Sequence, residues 1–538
     1  MTRRECILAV ASAAALPPTS AARPARCIVL DAQGEPVAPD AMVRFHTCDL
    51  LLRPFTLAPV VAVGQITFSP PAQPFRISLP LQVPGFGHVF VYADNRGAGY
   101  TPRSLAKSGD LLLNYEFAAD RLTTVRRLAE DCRSLGVTIP SGLSVRISAA
   151  EELLQRAEVA RGDHPACARA AMESLRESLW AGEGLVFERA KYRIAKQSPR
   201  PGFLFGSNAF GFASGPEWYR EYYTKLLNYG TIPFYRGMLE REKDHPDYSE
   251  PEAILNAVDK AHASIMIKGH PLIFLVAEAT PKWLKNLPFE ETNTLCIARV
   301  REAISRLRSR VHIWDVINEA HVQPETGTDM VGFTREQNVE MTVSALQAAR
   351  DSDPTCYRVV NNTGTWSDYY MAGKPAVWQQ CVYDYLTMVR DAGANYEAIG
   401  LQYYHSGRDM VEFERNLDLF QAFGKPVHLT ELGISSSSTG AEKSEWWGGG
   451  PGGAKFVWHG EQFTESSQAD WFEQVYTIGY SKPWVQAIST WDFSDPAFIP
   501  HGGLLREDGT PKESYQRLTT LLADWRTTRR SPTLRTDG

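Results

Sequence analysis

A chain of 538 residues exceeds a single ordinary core, so two or three domains are expected. Its composition, 43% apolar and 22% charged, is that of a folded protein, and its formal charge of -6 forms no block of one sign, which speaks against a nucleic-acid partner. Eight scattered cysteines, with no CxxC pair and no histidine at zinc spacing, argue against a metal site or a disulfide scaffold and leave buried free thiols; no cofactor is implied.

The N-terminus, "MTRRECILAVASAAALPPTSAA", has a basic start, an apolar run and then small residues. That layout predicts a signal peptide over 1–22, and Arg3-Arg4 resembles a twin-arginine export signal, so a secreted or periplasmic location is expected; the alternative is an Ala-rich tail. No other stretch approaches the roughly 20 apolar residues of a membrane span. Residues 25–117 hold short apolar runs ("GQITFS", "FRISLPLQVP", "GHVFVYADN") between turn residues, which predicts a small antiparallel β-sandwich-like domain. It is either a carbohydrate-binding module or a packing accessory. From 118 to 200 strong helix formers with helical periodicity predict a connector of two to four helices.

From 201 to 528 strands and helices alternate. Strands are expected at 203–210, 231–237, 265–274, 311–317, 356–361, 397–404, 426–431 and 485–493, each followed by a helical segment. Eight such units over roughly 320 residues fit a (β/α)8 TIM barrel, an α/β fold. A doubly wound open sheet is the other solution, but no Gly-rich phosphate loop follows the first strand.

A barrel builds its active site at the C-terminal ends of its strands. Those ends carry His270 (strand three), Asn318 and Glu319 (four), Asn361 and Asn362 (five), Gln402, Tyr403, Tyr404 and His405 (six), Glu431 (seven), and Trp491, Asp492 and Asp495 (eight). A lone Glu at a strand end is ordinarily a salt-bridged surface carboxylate. Two of them facing one cleft, with amides and aromatics around, are what glycoside hydrolysis needs: one acid to protonate the leaving oxygen and one carboxylate to attack the anomeric carbon.

The motifs also resemble a known family. "WDVINEA" (314–320) is similar to the acid/base motif of glycoside hydrolase family 10, the endo-β-1,4-xylanases, and "VHLTELGI" (427–434) to its nucleophile motif. "GHPLIF" (269–274), "DPTCYRVVNN" (353–362), "IGLQYYH" (399–405), "STWDFSD" (489–495) and "LLREDGTPKESY" (504–515) match further family segments, in order, over about 201–526. The resemblance implies a retaining hydrolase of β-1,4-xylan-type polysaccharide. It makes Glu319 the acid/base, Glu431 the nucleophile and Asn318 a partner of the sugar 2-hydroxyl. It puts His270, Asn361 and Trp491 around the central sugar, sets Gln402 and His405 to position Glu431, and has Phe274 replace a usual Trp. Because "QYYH" is one residue longer than the family's Q-x-H, Tyr404 is the other candidate for the place of His405.

One segment departs from the family. After strand two, members carry T-x-E-N-x-M-K-W, whose Glu, Asn and Lys grip the sugar one unit beyond the cleavage point. Here "TIPFYRGMLER" puts Pro233, Phe234 and Gly237 in those places, leaving Arg236, Glu240 or Arg241 as substitutes. A site that loses hydrogen-bonding groups changes specificity strongly. A different or decorated β-glycan is therefore an alternative substrate, and a non-catalytic carbohydrate-binding barrel an alternative function. The Gly- and Trp-rich insertion at 435–465 lies on the expected active-site face, where Trp446, Trp447 and Trp458 either stack on sugars or anchor the loop.

Overall fold

The computed structural model describes residues 24–276, 279–322, 333–370, 380–439 and 456–527, so the expected signal peptide lies outside the described residues. Eight parallel strands close a barrel: Leu204–Asn208, Tyr229–Pro233, Met266–His270, Ile313–Asn318, Tyr357–Asn362, Ala398–Tyr404, Val427–Gly433 and Val485–Thr490, with the eighth pairing back onto the first. Seven of them are buried almost end to end, because helices cover the outer face and packed side chains fill the inner one. Tyr229, Ile313, Val359, Ala398 and Ala487, each from a different strand, form a packed cluster near the strands' N-terminal ends. The polar ends of the same strands are therefore held on a rigid frame.

Two four-stranded sheets face each other ahead of the barrel. One runs Val60–Ala62, Gln65–Phe68, Ala25–Ile28, Leu111–Leu112; the other Pro54–Phe55, His46–Cys48, Arg76–Val83, Gly87–Ala93. The first sheet is not wholly antiparallel as expected, since Ala25–Ile28 pairs parallel with Leu111–Leu112. The helix Pro102–Ser108, capped by Thr101, lies in the connection that makes the parallel pairing possible. Three helices follow, Leu113–Leu135, Ser141–Val159 and His164–Lys196. The first opens before residue 118, so the expected boundary falls within it. Phe117, Leu175 and Leu179 share a core with the sheets, which ties the connector to them.

The N-terminal part also docks on the barrel. Arg121 pairs with Asp409 at 2.8 Å, Arg76 with Glu412 at 3.5 Å, and Arg189 with Glu414, all buried against the helix Met410–Leu419. The backbone N–H of Phe90 donates to the carbonyl of Gly407 at 2.8 Å. The seven described cysteines are free and buried.

Candidate active site

The fourth strand has one residue more than its partner: Asp315 faces Val359, but Ile317 faces Val360. Such a bulge re-aims the residues after it, here bringing Asn318 level with Asn361. Glu319 follows with a left-handed backbone, φ 53°, anchored by its N–H donating to the Asn361 carbonyl at 2.9 Å. That conformation costs a non-glycine residue about 1–2 kcal/mol. Here it turns the carboxyl into the barrel mouth.

Asn361 is the hub. Its Nδ2 donates to Asn318 Oδ1 at 2.8 Å and to Glu431 Oε1 at 2.9 Å, while its Oδ1 accepts from the Thr430 hydroxyl at 2.5 Å. Gly400 leaves the room for it, because a Cβ there would lie 2.4 Å from Asn361 Oδ1. The seventh strand carries its own bulge: Leu401 faces Leu429 and Gln402 faces Glu431, so Thr430 is the extra residue. Tyr404 completes the nest, its phenol donating to Glu431 Oε2 at 2.6 Å.

Two expected partners change. Gln402 Nε2 donates to Glu319 Oε1 at 2.8 Å, so it holds the Glu of strand four rather than Glu431. His405 is packed edge-on against Trp458, Phe463 and Trp471, and burial pushes its imidazole down to about 3. The added residue in "QYYH" puts Tyr404, not His405, on Glu431. Trp458 donates from Nε1 to Asp470 at 2.9 Å and stacks on His459 at 3.8 Å, so it anchors its loop. Trp446 and Trp447 lie outside the described residues.

Beneath the carboxyls is a buried ionic triad. Lys268 Nζ lies 2.7 Å and His270 Nδ1 2.6 Å from Asp315 Oδ2, which fixes the ring tautomer and leaves His270 Nε2 3.9 Å from Glu431 Oε1. Burial would raise Asp315, but Lys268 and His270 together hold its carboxyl below the usual range. Burial pushes both Glu319 and Glu431 up to about 7. The opposing forces differ. Among the described residues Glu319 is eased by the amides of Gln402 and Asn318, whereas Glu431 is eased by His270, the Tyr404 phenol and Lys268 and raised by Glu319. Two such carboxyls repel each other's second charge, and the donors on Glu431, the Tyr404 phenol and the Asn361 amide, favour leaving the shared proton on Glu319.

The other side of the mouth is aromatic. Trp491 packs edge-on to His270 at 5.2 Å and to Phe210 at 5.9 Å; Tyr235 packs edge-on to His270 at 5.6 Å and lies 6.5 Å from Phe274. Tyr235 escaped the sequence reading. The signal was the pair Phe234-Tyr235: neighbours at a strand end point opposite ways, and Phe234 packs outward on Trp314 at 4.9 Å. The substitutes offered for the missing grips are partly spoken for. Arg236 Nε donates to Glu240 at 2.7 Å, its guanidinium lies over Trp283, and both charges are buried.

Comparison with known proteins places this geometry in a family. Endo-1,4-beta-xylanase B of Thermotoga neapolitana is 24% identical over 272 residues, 48% of this chain and 70% of that one. Endo-1,4-beta-xylanase 3 of Hypocrea jecorina is 27% identical over 125 residues, 23% of this chain and 35% of that one. The crystal structure of xylanase 10B from Thermotoga petrophila RKU-1 in complex with xylobiose superposes with a TM-score of 0.47 at 20% identity, covering 63% of this chain and 97% of that one. The model for "Glycosyl hydrolase family 10" matches residues 236–518, more than half of the chain and six of the eight barrel strands, and to that family the protein belongs.

Proposed function

We infer that the protein is a retaining glycosidase that cleaves a β-1,4-xylan-type polysaccharide by double displacement. Glu319 donates its proton to the departing glycosidic oxygen while Glu431 attacks the anomeric carbon. Glu319, now a carboxylate, then takes a proton from the water that releases the glycosyl-enzyme. Asn318 sits between them as the partner for a sugar 2-hydroxyl, and Asn361 and Tyr404 fix the direction of attack. The observation that carries this reading is the unequal surroundings of two buried carboxyls. Glu431 accepts from Tyr404 and Asn361 and faces His270, as an ionised nucleophile requires, while the donors to Glu319 among the described residues are amides.

The test is mechanistic. An activated 2-fluoro xyloside should add one glycosyl mass to wild-type protein, mapped to the peptide holding Glu431, and the first product should keep its β configuration by proton NMR. Label on another residue, or an inverted product, would sink the assignment. The aromatic wall in place of polar grips favours one variation, a β-glycan other than unadorned xylan.

A further inference from the structure

The two donors to Glu431 come from different strands: Asn361 from the end of strand five and Tyr404 from the end of strand six. Their aim depends on how those two ends are held against each other. The segments that leave them, 363–368 and 405–408, are tied together by the guanidinium of Arg408, 4% exposed. Its Nη1 donates to the Ser406 carbonyl at 2.6 Å, closing the second segment on itself. Its Nη2 donates to Asp368 in the first segment, and the guanidinium lies 4.9 Å over the Trp366 ring. A planar fork carries both bonds in one fixed geometry, which the point charge of a lysine does not.

The fork is seated from outside the barrel. It lies 3.6 Å over the ring of Phe90, on the strand Gly87–Ala93 of the N-terminal sheet, and the Phe90 N–H donates to the carbonyl of Gly407 at 2.8 Å. From the same sheet, His46 Nε2 lies 2.8 Å from the Ser367 hydroxyl, and Arg44 reaches Asp368 at 3.7 Å. The fit is tight, since a Cβ on Gly407, φ 74°, would lie 2.2 Å from Phe456, which itself stacks on Phe90 at 5.2 Å. The ion pairs on the helix Met410–Leu419 join the two bodies, whereas these contacts hold the chain just past the strand ends that carry Asn361 and Tyr404.

We propose that Arg408 is a positioning residue of the reaction: seated on the N-terminal sheet, it locks 405–408 against 363–368 and so aims the Tyr404 phenol at Glu431. The N-terminal sheet then serves catalysis from outside the barrel. This rests on the glycosidase reading above and adds to it a residue that acts through another, since a reacting constellation must be held within about 0.5 Å by the groups around it.

The experiment follows 4-nitrophenyl β-xylobioside across pH with the wild type, Arg408→Gln, Tyr404→Phe and the double variant. Arg408→Gln should lower kcat about tenfold or more, with KM changed by less than about threefold, because a misplaced donor impairs attack rather than binding. The acidic limb of its pH–rate profile should move to higher pH, as Glu431 titrates higher with its donor misaimed; a loss of stability alone leaves that limb in place. In the Tyr404→Phe background the same substitution should cost no more than about threefold, because the bond it aims is already gone. An equal fall in both backgrounds would overturn the proposal and leave the glycosidase reading standing. So would a folded Arg408→Gln protein with the kcat and acidic limb of the wild type. Should Arg408→Gln not fold, Phe90→Leu keeps the guanidinium and its ion pair and removes the ring that seats it. It should lower kcat and move the limb in the same direction, and a wild-type profile would overturn the proposal. No release of nitrophenol by the wild type would overturn both readings.

Discussion

Tyr404 donates its phenolic proton to Glu431 Oε2 at 2.6 Å, while Asn361 Nδ2 donates to the other oxygen at 2.9 Å. Each carboxylate oxygen has its own donor, Tyr404 from the neighbouring strand six and Asn361 from strand five, so the group is aimed as well as stabilised. The bond from Tyr404 favours the ionised form and pulls Glu431 down against the burial that raises it to about 7.

Tyr404→Phe removes that donor and nothing else of the ring. A hydrogen bond to a charged group contributes about 1.5–3 kcal/mol, so kcat/KM should fall roughly 10- to 150-fold. Glu431 then titrates higher, so the acidic limb of the pH–rate profile should move to higher pH. His405→Phe should leave that limb in place, because the imidazole packs among Trp458, Phe463 and Trp471. Profiles of both variants on one aryl glycoside decide between the two residues.

Glu431→Gln should make the folded chain more stable at alkaline pH while abolishing turnover. The carboxyl, 4% exposed, is raised from 4.5 to about 7, so the folded state binds a proton more tightly than the unfolded chain. The wild type therefore loses stability as pH rises from about 4.5 through 7, and keeps that loss above it. A neutral amide escapes this cost, which reaches up to about 3 kcal/mol. Melting curves should show the variant higher by a few degrees at pH 8, with the gap closing at pH 4. An equal gap at both pH values would contradict the assigned shift.

How much of this could be read from the chain alone follows from what each feature depends on. The eight strands were visible because barrel strands are buried on both faces and read as apolar runs, and Asn318, Glu319 and Glu431 were visible because those runs end abruptly in polar groups. Partnerships across strands were not. Gln402 reaches Glu319 rather than Glu431, since Val316 and Thr430 are extra residues in their strands and a bulge leaves no mark in a single sequence; Tyr404 on Glu431 was legible only as the alternative to His405 that the added residue in "QYYH" raised. Tyr235 was hidden for a related reason, since only strand pleat distinguishes it from Phe234. The helix from Leu113 was cut at residue 118 because "LLNYEFAAD" is apolar and aromatic enough to pass for another strand.

Lys268→Met should unfold the barrel more easily by about 3–5 kcal/mol, the cost of stranding a buried charge by removing its partner. Lys268 and Asp315 are both fully buried at 2.7 Å, and among the described residues Asp315 would be left with His270 as its side-chain partner. Its carboxyl should rise, weakening its hold on the His270 ring below Glu431. Urea unfolding measures the first effect. The second appears as a fall in kcat that persists under conditions where the variant is fully folded; unchanged kcat in that range would mean the triad is structural only.

The docked N-terminal part should behave as one stability unit with the barrel. Glu412 takes Arg76 at 3.5 Å and Arg121 at 3.5 Å, beside Asp409, which itself takes Arg121 at 2.8 Å. Burial would raise Glu412, yet Arg76, Arg415 and Arg121 outweigh it and hold the carboxyl below its ordinary range. Among the described residues Glu412→Leu leaves buried Arg76 with Asp94, 3.9 Å away, as its remaining charged partner, and should cost about 3 kcal/mol or more. Because Arg76 and Arg121 sit on the strand Arg76–Val83 and the helix Leu113–Leu135, the damage falls on the contact between sheets, connector and barrel rather than on the carboxyl nest. Limited proteolysis should therefore cut the variant in the links between connector helices, such as 136–140, faster than the wild type. Its kcat on an aryl glycoside should be unchanged while it remains folded. A variant that resists protease like the wild type would show that the ionic contacts contribute little and that the apolar packing and the bond from Phe90 to Gly407 hold the parts together.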